Sequence, residues 1–431
     1  MTRFTRRQIL KSASTGIAAG ALLGHRSVFA QQESAAAEPD KLNLAIIGVA
    51  NRGGDNLNGV ASQNIVALCD VDQNYLQNTA QRFPQAKLFN DYRKMLDEVS
   101  GLDGVVVSTP DHHHAPAAIM AMKRGLHVYC EKPLAHTVNE VRAMTEMARK
   151  AGVATQMGTQ IHAGDNYRRV VELVQANVIG PIHRVHVWVG KGWGATKMPA
   201  AAGEAPATLD WNVWLGPAAE RPYTPNLHPA DWRRYRDFGT GTLGDMGCHF
   251  MDLPFWALGL SSPVSARAEG PTSDTACCPL GLKVHYQFAA SDRHPALELV
   301  WYDGDLTPKE LEGMPVPGSG VLFVGENGKM FADYGSYRLF PQEQFKDFQP
   351  PAQTIAASPG HYEEWFAACR GGQPALCNFD YAGPLTECVL LGTVAHQVGR
   401  EITWNAKTLR CEGDAQATAL ISKSYRDGWS I

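Results

Sequence analysis

Residues 43–48, "NLAIIG", form an apolar run that stops at a glycine, and four more runs of this kind follow: "NIVALCD", "GVVVSTP", "HVYCEKP" and "ATQMG". Segments with helical spacing, such as "DYRKMLDEV" and "HAPAAIMAMKRG", lie between them. Short strands that are apolar without alternation are covered on both faces, and strands separated by a helix pair in parallel. The alternation therefore predicts an α/β fold that begins with a doubly wound parallel sheet. Ligands of such sheets lie in the crevice outside the carboxyl ends of the strands. The order of elements thus says where a site must be before any motif is read.

The first run leads into "GVANRGGDN". Gly48, Ala50 and Gly53 fill the three positions of G-x-G-x-x-G/A, with alanine at the second. The first position allows a tight turn, the second a close approach to a pyrophosphate, and the third close packing of helix on strand. Asn51 and Arg52 lie inside this turn, and Asp70 ends the second run, 22 residues after Gly48. A carboxylate there accepts hydrogen bonds from a ribose diol and repels a 2′-phosphate. The expected cofactor is NAD, with NADP less favoured and Arg52 softening the preference. Ser108, Thr109 and Pro110 end the "GVVVSTP" run and are expected to line the cofactor, with His114 turned inward near it. Three consecutive histidines, 112 to 114, cannot all face one ion on a regular element, so no metal site is expected there.

Beyond residue 160 the pattern changes. "HRVHVWVG", "LKVHYQF", "ALELVWYDG" and "SYRLF" read as strands, and "VLFVGENGKMFADYG" as a hairpin with Asn-Gly at its tip. A second domain with a large, mostly antiparallel sheet is expected over 161–431, after a nucleotide-binding domain over 41–160. "YAGPLTECVLLGTVAHQVG" has helical spacing, and the helix around 382–398 is expected to pack back on the first domain. "LTPKELEGMPVPGSG" reads as a surface loop.

Two stretches carry chemistry. In "CEKPLAHT", Glu131 and Lys132 follow the fifth strand and open on the crevice, where a lysine can polarise a hydroxyl or move a proton. In "FGTGTLGDMGCHFMD", Asp245, His249 and Asp252 are four and three residues apart, one face of a helix. A histidine one turn from a carboxylate suits a general base. Trp193, Trp232 and Tyr235 are candidate flat platforms for a sugar ring, and His162 in "GTQIHAG" is a candidate crevice residue.

E-K-P combined with G-x-G-x-x-x-D-x-x-x-H-x-x-D resembles the glucose–fructose oxidoreductase, inositol dehydrogenase and rhizopine-catabolism family, Gfo/Idh/MocA. The resemblance implies a Rossmann domain joined to an α/β domain whose open sheet builds homodimers or homotetramers. It also implies a catalytic group of Lys132, Asp245 and His249, and a sugar, glycoside or polyol substrate. The alternative within the resemblance is a redox-neutral, NAD-dependent glycoside hydrolase that oxidises its sugar transiently. A sugar sensor on the same scaffold would be expected to lose Lys132 or His249, and both are present.

The chain opens "MTRFTRRQILK", with Arg6 and Arg7 adjacent, followed by a short apolar stretch and "SVFAQQ". This is the layout of a twin-arginine export signal over residues 1–30, followed by a linker over 31–40. The expectation is a protein exported after folding, to the periplasm or beyond, with NAD bound tightly and recycled in place. No later stretch is long and apolar enough to span a membrane. The first 30 residues hold five basic and no acidic side chains, so the net charge of −4 becomes about −9 without them. That balance argues against nucleic acid as a partner. Nine cysteines, an odd number without a C-x-x-C pair, read as small buried apolar groups.

Overall fold

The computed structural model describes residues 41–431 apart from residue 273. The twin-arginine segment and the linker fall outside the described residues. Six strands form the first sheet: β1 (Asn43–Ile47), β2 (Asn64–Cys69), β3 (Lys87–Phe89), β4 (Gly104–Val107), β5 (His127–Cys130) and β6 (Thr155–Met157). All pair in parallel, in the order β3-β2-β1-β4-β5-β6. Ala45 sits opposite Val105 and Ile47 opposite Val107 at the centre, with all four side chains buried, as an unalternating pattern requires. β3 is the strand that left no apolar run in the sequence, because it lies at the edge with little burial.

Five helices cross between these strands: α1 (Arg52–Val60), α2 (Gln73–Ala80), α3 (Tyr92–Glu98), α4 (Asp111–Met122) and α5 (Val138–Ala151). α5 starts at a reciprocal capping box of Thr137 and Glu140 and ends at the left-handed Gly152. The strand order reverses between β1 and β4, and there the crevice opens.

The second sheet has nine strands: β7 (Ile182–Val189), β8 (Ser265–Glu269), β9 (Leu282–Phe288), β10 (Leu297–Asp303), then, beyond the two-residue strands β11 (Glu310–Leu311) and β12 (Met314–Pro315), β13 (Gly320–Gly325), β14 (Gly328–Ala332), β15 (Tyr337–Phe340), β16 (Ile402–Asn405) and β17 (Arg410–Cys411). Only β7 with β10 is parallel among the pairs of this sheet. Two local readings change. The β13–β14 hairpin closes at Gly325 opposite Gly328, so Glu326 and Asn327 form the tip and Gly328 belongs to the strand. The proline-rich stretch contains the small antiparallel pair β11–β12 and is more than a loop.

The remaining helices are α6 (Asp165–Gln175), α7 (Trp211–Leu215), α8 (Gly241–Phe250), α9 (Asp252–Leu258), α10 (His361–Cys369), α11 (Phe379–Val398) and α12 (Ala415–Leu420). α11 lies between the two sheets, touching α5 and β6 on one side and α8, β8 and β9 on the other. Glycine makes this contact possible at two points. A Cβ at Gly392 would overlap the Tyr286 hydroxyl, and one at Gly247 would press on Val389. One apolar core runs from Ala45 and Val105 through Leu385 to Val187 and Val284, so both sheets share it. Eight of the nine cysteines are buried. Among the described residues no helix is long and apolar enough to cross a membrane.

Candidate active site

At the end of β1 the chain turns at Gly48, whose φ is 85°, and a Cβ there would strike the Ser108 carbonyl. Gly53 packs so closely that a Cβ would overlap the Gly48 carbonyl. Ala50, Asn51 and Arg52 complete the turn and face the cleft, with the amino end of α1 behind them. Such an end presents free N–H groups and a partial positive charge to an anion. Asp70 lines the same cleft and accepts hydrogen bonds from the backbone N–H groups of Val49 (2.9 Å) and Asp72 (3.0 Å). Burial raises its pKa, and those bonds work against the rise.

Ser108, Thr109 and Pro110 line the cleft as well. Thr109 Oγ1 and Trp214 Nε1, both on cleft residues, are buried polar atoms without a protein partner. Buried polar groups are nearly always paired, so these two atoms mark places for ligand groups. Together with the glycine cradle they make the cleft fit a dinucleotide. Glu131 also borders it, but its carboxylate is taken by Arg52 (3.1 Å), Asn56 (2.9 Å) and Gln160 (3.1 Å). Its work is to tie α1 to the loop after β5.

That loop carries Lys132 across to the second domain. Its Nζ lies 2.6 Å from Asp245 Oδ1 and donates to the Asp245 carbonyl at 2.8 Å. The same carboxylate receives Lys191 Nζ at 2.9 Å and Trp193 Nε1 at 2.8 Å, and Arg233 Nε lies 3.5 Å away. Burial alone would push the Asp245 pKa up, but the three cations outweigh it and hold the carboxyl well below the usual range. Trp193 and Trp232 both line the cleft, with the Arg233 guanidinium over their rings.

His249 follows Asp245 by one turn of α8, yet no hydrogen bond joins them. Its pKa is pushed down to about 3 by burial and then by Lys132, with Asp245 pulling the other way. Its Nδ1 is buried without a partner. The expected single face of Asp245, His249 and Asp252 is interrupted, because α8 stops at Phe250 and α9 begins at Asp252. Asp252 turns into the core instead, where it meets His162 Nδ1 at 2.9 Å and the Tyr381 hydroxyl at 2.7 Å.

Four side-chain candidates do not line the cleft: His249, His162, Tyr235 and His114. His162 is buried, stacked on Trp256 with ring centres 4.2 Å apart. Tyr235 is packed in an apolar cluster with Trp214 and Phe238. His114 braces two cofactor-side loops from behind, its ring nitrogens on the carbonyls of Pro133 (2.8 Å) and Thr109 (2.9 Å). His112 and His113 belong to the first turn of α4 and direct Nε2 at one carbonyl, that of Trp214, at 3.1 and 2.9 Å.

Lys191 and Arg233 carry no sequence signal beyond their place in "WVGKGWG" and "DWRRYRDFG", beside Trp193 and Trp232. Also unforeseen was a roof over the cleft, formed by the chain between β7 and α8. Thr208 accepts from the Gln73 N–H at 2.8 Å, and the Asp210 N–H donates to Val71 at 3.0 Å. His228 Nε2 lies 3.1 Å from the Asp72 carboxylate.

A parallel sheet with a glycine turn, and a lysine from its fifth strand's loop paired with an aspartate of the second domain, define a two-domain dinucleotide-dependent oxidoreductase fold. Family models agree along nearly all of the described chain. The oxidoreductase family with an NAD-binding Rossmann fold matches residues 42–159, and that family's C-terminal alpha/beta domain matches 165–431. The chain belongs to the Gfo/Idh/MocA oxidoreductase family.

Inositol 2-dehydrogenase of Salmonella typhimurium is 27% identical over 164 residues, 37% of this chain and 48% of that protein. D-glucoside 3-dehydrogenase of Escherichia coli is 26% identical over 204 residues, 47% of this chain and 49% of that protein. The chain thus spans about half the length of the curated relatives it matches. In three dimensions, the WlbA dehydrogenase of Bordetella pertussis, solved with NADH and UDP-GlcNAcA, superposes with a TM-score of 0.61 at 16% identity. That match covers 85% of this chain and 99% of the other, and it is a likeness of fold.

Proposed function

We propose that this protein oxidises a hydroxyl of a sugar, glycoside or polyol, with NAD held tightly and recycled in place. The observation that carries the reading is the Lys132–Asp245 contact at 2.6 Å, at the carboxyl ends of the parallel strands and in the same cleft as the glycine turn and Asp70. Similarity to inositol and glucoside dehydrogenases supports the substrate class, though over half their length.

Gly48, Ala50, Asn51, Arg52 and Gly53 would receive the pyrophosphate, Asp70 the ribose diol, and Ser108 to Pro110 the neighbouring face of the dinucleotide. Bound NAD supplies the hydride acceptor. Lys132 would meet the substrate oxygen as a cation and stabilise negative charge as the hydroxyl proton leaves. His249, neutral at physiological pH, is the proposed acceptor of that proton; it stands outside the cleft lining, so its buried, unpartnered Nδ1 would have to open toward the substrate. Asp245 holds Lys132 and the Trp193 indole in place for the substrate.

The roof supports retention of the cofactor, because a dinucleotide beneath it leaves only after contacts such as His228–Asp72 open. Export of the loaded, folded protein, as homodimer or homotetramer, completes the reading. The test is to purify the protein without added nucleotide, denature it and identify what is released. Empty protein would defeat tight binding, and NADP would reverse the reading of Asp70. The loaded protein is then offered free sugars, inositols and aryl glycosides while bound-NADH absorbance and aglycone release are followed together. Reduction without cleavage supports the oxidoreductase; cleavage without net reduction establishes the glycosidase; neither ends both readings.

A further inference from the structure

Around Asp245 the cleft gathers more positive charge than that carboxylate neutralises, although over the whole lining Arg52, Lys132, Lys191 and Arg233 are matched in number by Asp70, Asp111, Glu131 and Asp245. Lys132, Lys191 and Arg233 all lie within 3.5 Å of one carboxylate, that of Asp245. The nearby acidic groups are committed elsewhere. Glu131 is paired with Arg52, Asp72 with His228, and Asp231 with Arg234 at 3.0 Å, while Asp70 is bonded to backbone N–H groups. Asp111 is the remaining candidate; it is buried, receives the Thr240 hydroxyl at 2.7 Å, and has its pKa raised by burial. Even with Asp111 ionised, three cations face two carboxylates, and the imidazole of His249 adds no negative charge.

The surplus is directed. Lys132 is the best matched of the three, held by both the carboxylate and the carbonyl of Asp245. Lys191 and Arg233 flank Trp193 and keep part of their surface in the cleft, with side chains 47% and 24% exposed. Trp193 is fixed by its indole bond to Asp245, with Lys191 Nζ 5.3 Å and the Arg233 guanidinium 5.5 Å from its ring centre, so a ring lying beside it in the cleft would meet both charges. The cofactor's pyrophosphate has its own place at the amino end of α1 and does not account for them.

We propose that Lys191 and Arg233 form a carboxylate subsite, so that the preferred substrate is a sugar acid or uronoside rather than a neutral sugar. A single negative charge neutralises the local surplus that Lys132, Lys191 and Arg233 leave over Asp245 and an ionised Asp111, whereas a phosphate dianion would overshoot it. The inference rests on the oxidoreductase reading for the chemistry, but its charge selectivity is measurable by binding alone.

The experiment titrates NAD-loaded protein with D-glucose, D-glucuronate and D-glucose 6-phosphate, following tryptophan fluorescence and heat. Glucuronate is expected to bind at least tenfold tighter than glucose, about 1.4 kcal/mol, and tighter than the phosphate. Raised salt should narrow the gap. Lys191→Gln and Arg233→Gln should each weaken glucuronate several-fold more than glucose while leaving NAD retained. Equal or tighter binding of glucose overturns the proposal, as does equal loss of both sugars in the variants. Tightest binding of glucose 6-phosphate overturns the carboxylate assignment. NAD lost from both variants would reassign the two cations to the cofactor. Selective glucuronate binding without reduction of NAD would leave the subsite standing and defeat the oxidoreductase reading instead.

Discussion

Asp245 and Asp252 are seven residues apart on one stretch of chain, and each meets a basic side chain from another element, yet the two surroundings are opposites. Asp245 opens on the cleft and gathers three cations and an indole, with Lys191 half exposed beside it. Asp252 is sealed in the core, where His162, Tyr381 and the stacked Trp256 enclose it. The break between α8 and α9 at Met251 separates them. Identical chemistry in the side chain therefore becomes a cleft-facing charge at one end and an internal brace at the other. What decides is whether the partners leave an unmatched charge where solvent and substrate can reach it.

The contrast can be broken most sharply at Lys132. Lys132→Met should lower hydride transfer by about 10³-fold or more while NAD remains bound, measured as bound-NADH formation and as nucleotide released on denaturation. Asp252→Ala should do the reverse. It leaves the buried His162 ring and Tyr381 hydroxyl without their carboxylate, and urea unfolding should show a loss of about 1–3 kcal/mol, with turnover per folded molecule largely kept. A strong loss of turnover without loss of stability would erase the distinction between the two ends.

Acid sharpens it further. His112, His113 and His361 are buried and neutral, with pKa values well below normal, about 4 and about 3 respectively, chiefly through burial. The unfolded chain, with histidine near 6.5, binds more protons than the folded one below that pH. Stability is therefore full above pH 6.5 and lost as pH falls toward the folded values, by about 2 kcal/mol per histidine at pH 5. Asp245 is held below the usual range and His249 stays neutral at that pH. Melting temperatures should thus fall between pH 7 and pH 5 while turnover per folded molecule changes little. The smallest expected effect is at the platform: Trp193→Leu should raise KM about tenfold, with a lesser change in kcat. An unchanged KM would remove Trp193 from the substrate face.

The sequence made the first sheet legible because its strands are covered on both faces and read as continuous apolar runs. β3 escaped for the complementary reason, since an edge strand of three residues with little burial leaves no such trace. Gly48, Asp70 and Lys132 could be placed from the sequence because each sits at the end of a strand, and parallel topology brings strand ends together. His162 and Tyr235 misled because residue type and loop position do not say which way a side chain turns. Spacing alone put Asp252 beside His249, although Pro254, which cannot donate to the Phe250 carbonyl, marks the helix break at Met251. The partnership of Lys191 and Arg233 depends on a chain reversal between residues 190 and 240, and nothing local announces it.

The tail beyond α12 has a bearing on how the molecule is made. Trp429 packs against Tyr92 and His113, with the Arg93 guanidinium 4.0 Å from its ring, while Arg426 bonds to Asn212. Tyr92 and His113 border the cofactor cleft, so the domain synthesised first is buttressed by residues synthesised almost 340 positions later. On a ribosome the nucleotide-binding half would stand with that wall unsupported until translation has passed residue 429. The finished pocket therefore waits on residues more than 300 positions further along the chain, even though the glycine turn at its heart comes first among its parts.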